Sequence, residues 1–140
     1  ASVLMLGRYP VERMPSFFKH AESLLVSLKD QPIFALTIPG KLQSYLAAGI
    51  PVLAMLNGEG AEVVQNGGAG LACRAGDHKA LAEAVLRLSK VPIDERKAMG
   101  MRGVALSKEE FGREKLIGQL EFWLLKLQIR RRQASREKAP

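Results

Sequence analysis

The residues best placed for chemistry fall between Thr37 and Glu59, in the stretch TIPGKLQSYLAAGIPVLAMLNGE. Pro39 and Gly40 make a turn, and an amphipathic run from Lys41 to Ala48 follows it. At helical spacing Lys41, Ser44 and Ala48 share one face, while Leu42, Tyr45 and Leu46 share another. A lysine and a serine at the start of a helix can meet an anion, because the first N–H groups are unpaired and the helix dipole favours negative charge there. Other chemistries find no support. His20 and His78 are far apart, Cys73 is alone, and no paired acids surround them, so neither metal-ligand spacing nor a Ser-His-Asp or Cys-His arrangement is present. Gly58-Glu59-Gly60 is not a dinucleotide fingerprint, since the third glycine position is Val63.

Four short apolar runs read as strands: VLMLG (3–7), LLVSL (24–28), PVLAML (51–56) and GLACR (70–74). Helical patterns alternate with them. VERMPSFFKHAE turns Met14, Phe17, Phe18 and Ala21 inward, with His20 near its end. Gly49 and Pro51 close the Lys41 helix, and GEGAEVVQNGG reads as a turn, a short helix and a glycine cap. Asp77 looks like the N-cap of HKALAEAVLRLSK. Further helices are expected from Pro92 to about Leu106 and from Arg113 to about Arg132.

Strand and helix in alternation is the pattern of a parallel sheet wound with helices, an α/β Rossmann-like fold. The loops leaving the carboxyl ends of such strands carry the ligand site. That places Asp30, Gln31 and Thr37, in KDQPIFALTIPG, near any ligand.

The last helix is apolar on more than one side. Leu116, Leu120, Trp123, Leu124 and Leu127 form one stripe, expected to pack on the sheet, while Phe122, Leu125 and Ile129 point elsewhere. Such a helix needs a second partner, and self-association through residues 116–129 is one outcome.

The 140 residues are 47% hydrophobic and 25% charged, as in an ordinary globular domain. No apolar run approaches the ~20 residues that span a bilayer, and no signal peptide opens the chain. A lone Cys73 in a strand-like run reads as a buried free thiol. These features point to the cytoplasm. Of the net charge of +7, residues 126–140 hold +5, with Lys126, Arg130, Arg131, Arg132, Arg136 and Lys138 against Glu137. A basic end of this kind suits peripheral contact with anionic phospholipid at the inner face of the cell membrane. Without interleaved aromatics or a binding module, nucleic acid is not expected as a partner.

Residues Ile38 to Leu53 resemble a segment of GT-B-fold, family-4 type retaining glycosyltransferases, P-S-K-L-x-E-Y-L-A-A-G-x-P-V-V. The likeness extends through GEGAEVVQNGGAGLACRAGD and back to LGRYPVERMPSFFKHAESLLVSL, about residues 3 to 125. It is nearest to the branch that builds lipid-linked saccharides for surface polysaccharides. The resemblance implies a nucleotide-sugar donor, a UDP-sugar first among them, with no metal or other cofactor. Donor-binding positions fall at Thr37, Pro39, Gly40, Lys41, Ser44 and Glu59, with Lys41 and the amides near Gly40 on the diphosphate and Ser44 near the ribose. No catalytic residue is assigned. The family's Glu-x7-Glu pair is replaced by Leu36 and Ser44, so the charged acceptor for a ribose diol is missing.

Family members have two Rossmann-like domains facing a cleft. Their donor domain opens with further β-α units, which this chain lacks. Residues 1–125 are thus expected to be part of a truncated C-terminal donor domain, and 126–140 the basic end of the last helix with a disordered tail. The absent acceptor domain would cover the last helix. An alternative of a different class is a non-catalytic α/β interaction module that pairs through that helix.

Overall fold

The computed structural model describes residues 3–137, with side chains described as far as Arg131. Three parallel strands form one sheet in the order β1-β2-β3: β1 Leu24–Ser27, β2 Val52–Met55 and β3 Gly70–Cys73. Leu24 pairs with Val52 and Val52 with Gly70, so the strands are in step along their length. Helices α1 (Met14–Phe18), α2 (Pro32–Ala35), α3 (Gly40–Ala47), α4 (Glu59–Asn66), α5 (His78–Ser89), α6 (Ile93–Phe111) and α7 (Arg113–Glu137) make up the remaining regular structure, with one 3-10 turn at Val11–Arg13.

β2 is the centre because it is covered on both faces. Val52, Ala54 and Leu56 join Val26, Leu42, Leu46 and Val64 in a core beneath α3 and α4. Leu53 points the other way, into a smaller core with Ala84, Leu88 and Met99 from α5 and α6. A strand buried on both sides carries a continuous apolar run, as VLAML does. Leu42 and Leu46, four apart, are both fully buried. Each contributes about 1.5–3 kcal/mol of burial, so packing rather than helix propensity holds the eight-residue α3.

Three expectations need correction. Residues 3–7 form no strand: Val3 to Leu6 are exposed, and no strand edge pairs with them. An apolar run becomes a strand only when a neighbouring edge accepts its backbone, so the sheet has three strands among the described residues rather than four. The first helix is shorter than its pattern, ending at Phe18, so His20 lies in the turn beyond it. The Trp123 stripe of α7 does not pack on the sheet: Trp123 is 60% exposed. Gly112, in extended conformation, breaks α6 from α7, which touches α6 at that junction and carries its apolar side chains away from the core.

α7 passes residue 126 without a break and stays helical to Glu137. The end of the expected tail, residues 138–140, lies outside the described residues.

Candidate functional site

In a parallel sheet the helices that follow each strand begin at its carboxyl end; here α2 and then α3 follow β1, α4 follows β2 and α5 follows β3. Pro39 stands just before α3 in extended conformation (φ −62°, ψ 137°). Its carbonyl accepts from Leu42 N–H at 2.9 Å and from Gln43 N–H at 3.3 Å. No side chain caps this end. The N–H groups of Gly40 and Lys41 therefore have no acceptor among the described residues, and both residues are exposed. Lys41 sits in this first turn, where its ammonium and the open amides can address the same anion.

Ser44 lies one turn on. Its hydroxyl donates to the Gly40 carbonyl at 3.1 Å, which leaves the oxygen free to accept but uses its one proton. Ser44, Ala47 and Ala48 line an open groove of about 510 Å³ whose other wall is Pro15, Phe18 and Lys19. The small-residue face of α3 thus fronts a groove while Leu42 and Leu46 face the core.

A second group joins the three strand ends. The side-chain amide of Asn57 donates to Asp30 Oδ1 at 2.8 Å, and its carbonyl accepts from Ala75 N–H at 3.0 Å. Arg74 reaches the other Asp30 oxygen at 3.6 Å. Both partners of that ion pair are well exposed, so it adds little stability and leaves the guanidinium available at the edge.

Two glycines let the helix starts crowd together. Gly58 has φ 72°, and a Cβ there would run into the carbonyl of Ala35 in α2. A Cβ on Gly60 would lie 3.6 Å from Pro39 Cδ, 3.5 Å from Leu42 and 3.0 Å from Leu56. The glycines of Gly58-Glu59-Gly60 are thus packing devices that seat α4 against α2 and the start of α3. Glu59, exposed in the first turn of α4, stands on the same side as Pro39. Thr37 is exposed and donates to Phe34 O at 3.2 Å, closing the turn after α2.

The structure therefore brings Pro39, Gly40, Lys41 and Glu59 to one edge, sets Ser44 a turn deeper, and leaves Thr37 on the approach. Sequence reading missed Asn57 and Arg74. Their one sequence signal was being the first polar residues after an apolar run, which does not say that they share a partner.

Elsewhere the chemistry is quiet. A cleft of about 370 Å³ opens at the amino end of β1 and β2, lined by Lys19, Glu22, Pro51, Arg96 and Lys97. Arg96 pairs with Glu22 at 3.4 Å and Lys97 with Asp94 at 3.8 Å, so two of its cations already have carboxylates. Cys73 is half-buried rather than buried. Burial first, and the Asp77 charge second, push its thiol above the usual range, which opposes a nucleophilic role. Among the described residues no cluster of three or more His, Cys, Asp or Glu could hold a metal ion.

Residues 1–90 match the family model for glycosyl transferases group 1, a span that includes all three strands and α1 to α5. The chain belongs to this family. Among curated proteins none matches it. The group 1 glycosyl transferase match supports a GT-B-type domain, and the parallel sheet flanked by helices is the Rossmann-like architecture such a domain requires. α6 and α7 lie beyond the matched span. No helix among the described residues is long and apolar enough to cross a membrane.

Proposed function

We propose that this domain is the donor half-site of a glycosyltransferase of the family-4 type, taking a nucleotide sugar, UDP-linked first among them, and serving a lipid-linked or polysaccharide acceptor. The observation that carries the reading is the start of α3: two open amides and Lys41 at the carboxyl edge of a parallel sheet, in a member of this family. When the anomeric bond breaks, charge grows on the leaving diphosphate, and fixed N–H groups with an ammonium beside them stabilise it. Ser44 accepts a hydrogen bond from a ribose hydroxyl without giving up its own bond to Gly40. Glu59 accepts from sugar hydroxyls, Thr37 borders the entry, and Pro39 fixes the angle at which the amides point. The acceptor side belongs to a second domain. The basic end of α7 would hold the assembly near anionic phospholipid at the inner face of the membrane.

Titration calorimetry with UDP, GDP and their sugar conjugates tests this. The reading expects saturable binding that Lys41→Ala weakens by about 10- to 100-fold, the value of a hydrogen bond to a charged group. Binding unchanged in Lys41→Ala, or no binding of any nucleotide, would overturn it.

One observation favours the other class of function, a non-catalytic interaction module: the apolar side chains of α7 are uncovered. That reading expects no nucleotide binding.

A further inference from the structure

From Leu116 to Ile129, all nine large apolar side chains of α7 are 45–60% exposed. At 100° per residue they fall into two stripes. Leu116, Leu120, Trp123 and Leu127, flanked by Ile117 and Leu124, form the wide one. Phe122, Leu125 and Ile129 form a narrow one on the opposite side. The narrow stripe has polar cover, since Lys126 Nζ lies 4.7 Å from the centre of the Phe122 ring. The wide stripe has a spacing of four, three and four residues, that of a seam that interlocks with another helix.

The geometry points to a second copy of this chain as the occupant, its α7 lying antiparallel against the wide stripe of the first. Area supports the choice. Six half-exposed side chains, each on the order of 100 Å² bare, present roughly 600 Å² per chain, and their neighbours bring this close to the ~800 Å² per partner of a stable interface. An exposed apolar patch of this size marks an interaction surface. A two-fold pairing covers the same stripe on both copies at once. Charge sets the direction: residues 126–140 hold +5, so a parallel pair would press two cationic ends together. Antiparallel packing separates those ends and opposes the helix dipoles. A lipid surface has no need of the interlocking spacing. The pairing is independent of nucleotide, so its test and that of the donor site fail separately.

Sedimentation velocity of the whole chain from about 1 to 100 μM is the experiment, with the emission of the single Trp123 read alongside. The mass should rise from one chain to two, and the emission should shift to the blue as Trp123 leaves water. Leu120→Glu with Trp123→Glu should hold the chain monomeric with unchanged circular dichroism, whereas Leu125→Glu should still pair. A monomer at every concentration, assemblies larger than two, or equal loss in both variants would overturn the pairing. A monomer that co-sediments with phosphatidylserine vesicles would overturn it in favour of a membrane.

Discussion

Asn57 donates its side-chain amide to Asp30 at 2.8 Å, across 27 residues of sequence. With its carbonyl on Ala75 N–H, this one side chain ties together the loops that leave all three strands. The carboxyl edge, where the proposed donor would lie, is therefore braced by a residue with no assigned contact to it. Asn57→Ala should lower the free energy of unfolding by about 1–3 kcal/mol, since two hydrogen bonds go and the Ala75 amide loses its partner. Urea denaturation checks this. Asn57→Asp should be no better, because it cannot donate and sets a second carboxylate beside Asp30.

Gly58→Ala should also be destabilising, by roughly 1–3 kcal/mol. The left-handed backbone and the Ala35 carbonyl both oppose a Cβ. A midpoint equal to that of the unmodified chain would mean that α2 is not seated there. By contrast Gly118→Ala, in α7, meets nothing within 4 Å and should be neutral to slightly stabilising.

Much of this edge was legible in the sequence, and the reason is locality. Pro39-Gly40 before an amphipathic run marks the start of α3, and Asp77 caps α5 through a 2.9 Å bond from Ala80 N–H. Such signals act within one turn. What failed was non-local. Residues 3–7 have a strand's composition, yet nothing in VLMLG says whether an edge will pair with it. The stripe on α7 says that cover is needed, not what supplies it. Asn57 and Arg74 read as ordinary loop residues because a shared Asp30 leaves no spacing to recognise.

The thiol of Cys73 offers a pH test. Burial, then the Asp77 charge, raises its pKa, so the fold favours the neutral form. Its contribution to stability is fully present below the ordinary thiol range and is lost as pH rises through the folded value. The residue is only partly buried, so the effect is small. Asp77→Asn keeps the N-cap, which asparagine fills as well as aspartate, and removes the charge. Alkylation by iodoacetamide at pH 8 should then be faster than in the unmodified chain. An unchanged or slower rate would show that Asp77 does not act on the thiol.

In an active assembly of the proposed donor half-site with an acceptor domain, Lys41→Ala should lower turnover by roughly 10- to 1000-fold, as for removal of one contact to developing charge. Ser44→Ala should cost less, about 0.5–1.5 kcal/mol, because its hydrogen bond is neutral. A Ser44 effect larger than that of Lys41 would move the electrostatic centre deeper into α3.

The most direct test of the donor site is a ¹⁵N–¹H NMR titration with UDP, with uridine as the control. The amides of Gly40 and Lys41 should show the largest shifts with UDP, and small ones with uridine, because an anion is what an open helix start recognises. Neighbouring signals from Asn57 and Glu59 should move less. Shifts confined to Glu22, Arg96 and Lys97 at the opposite end of the sheet, or no saturable shift at Gly40 and Lys41, would contradict the assignment.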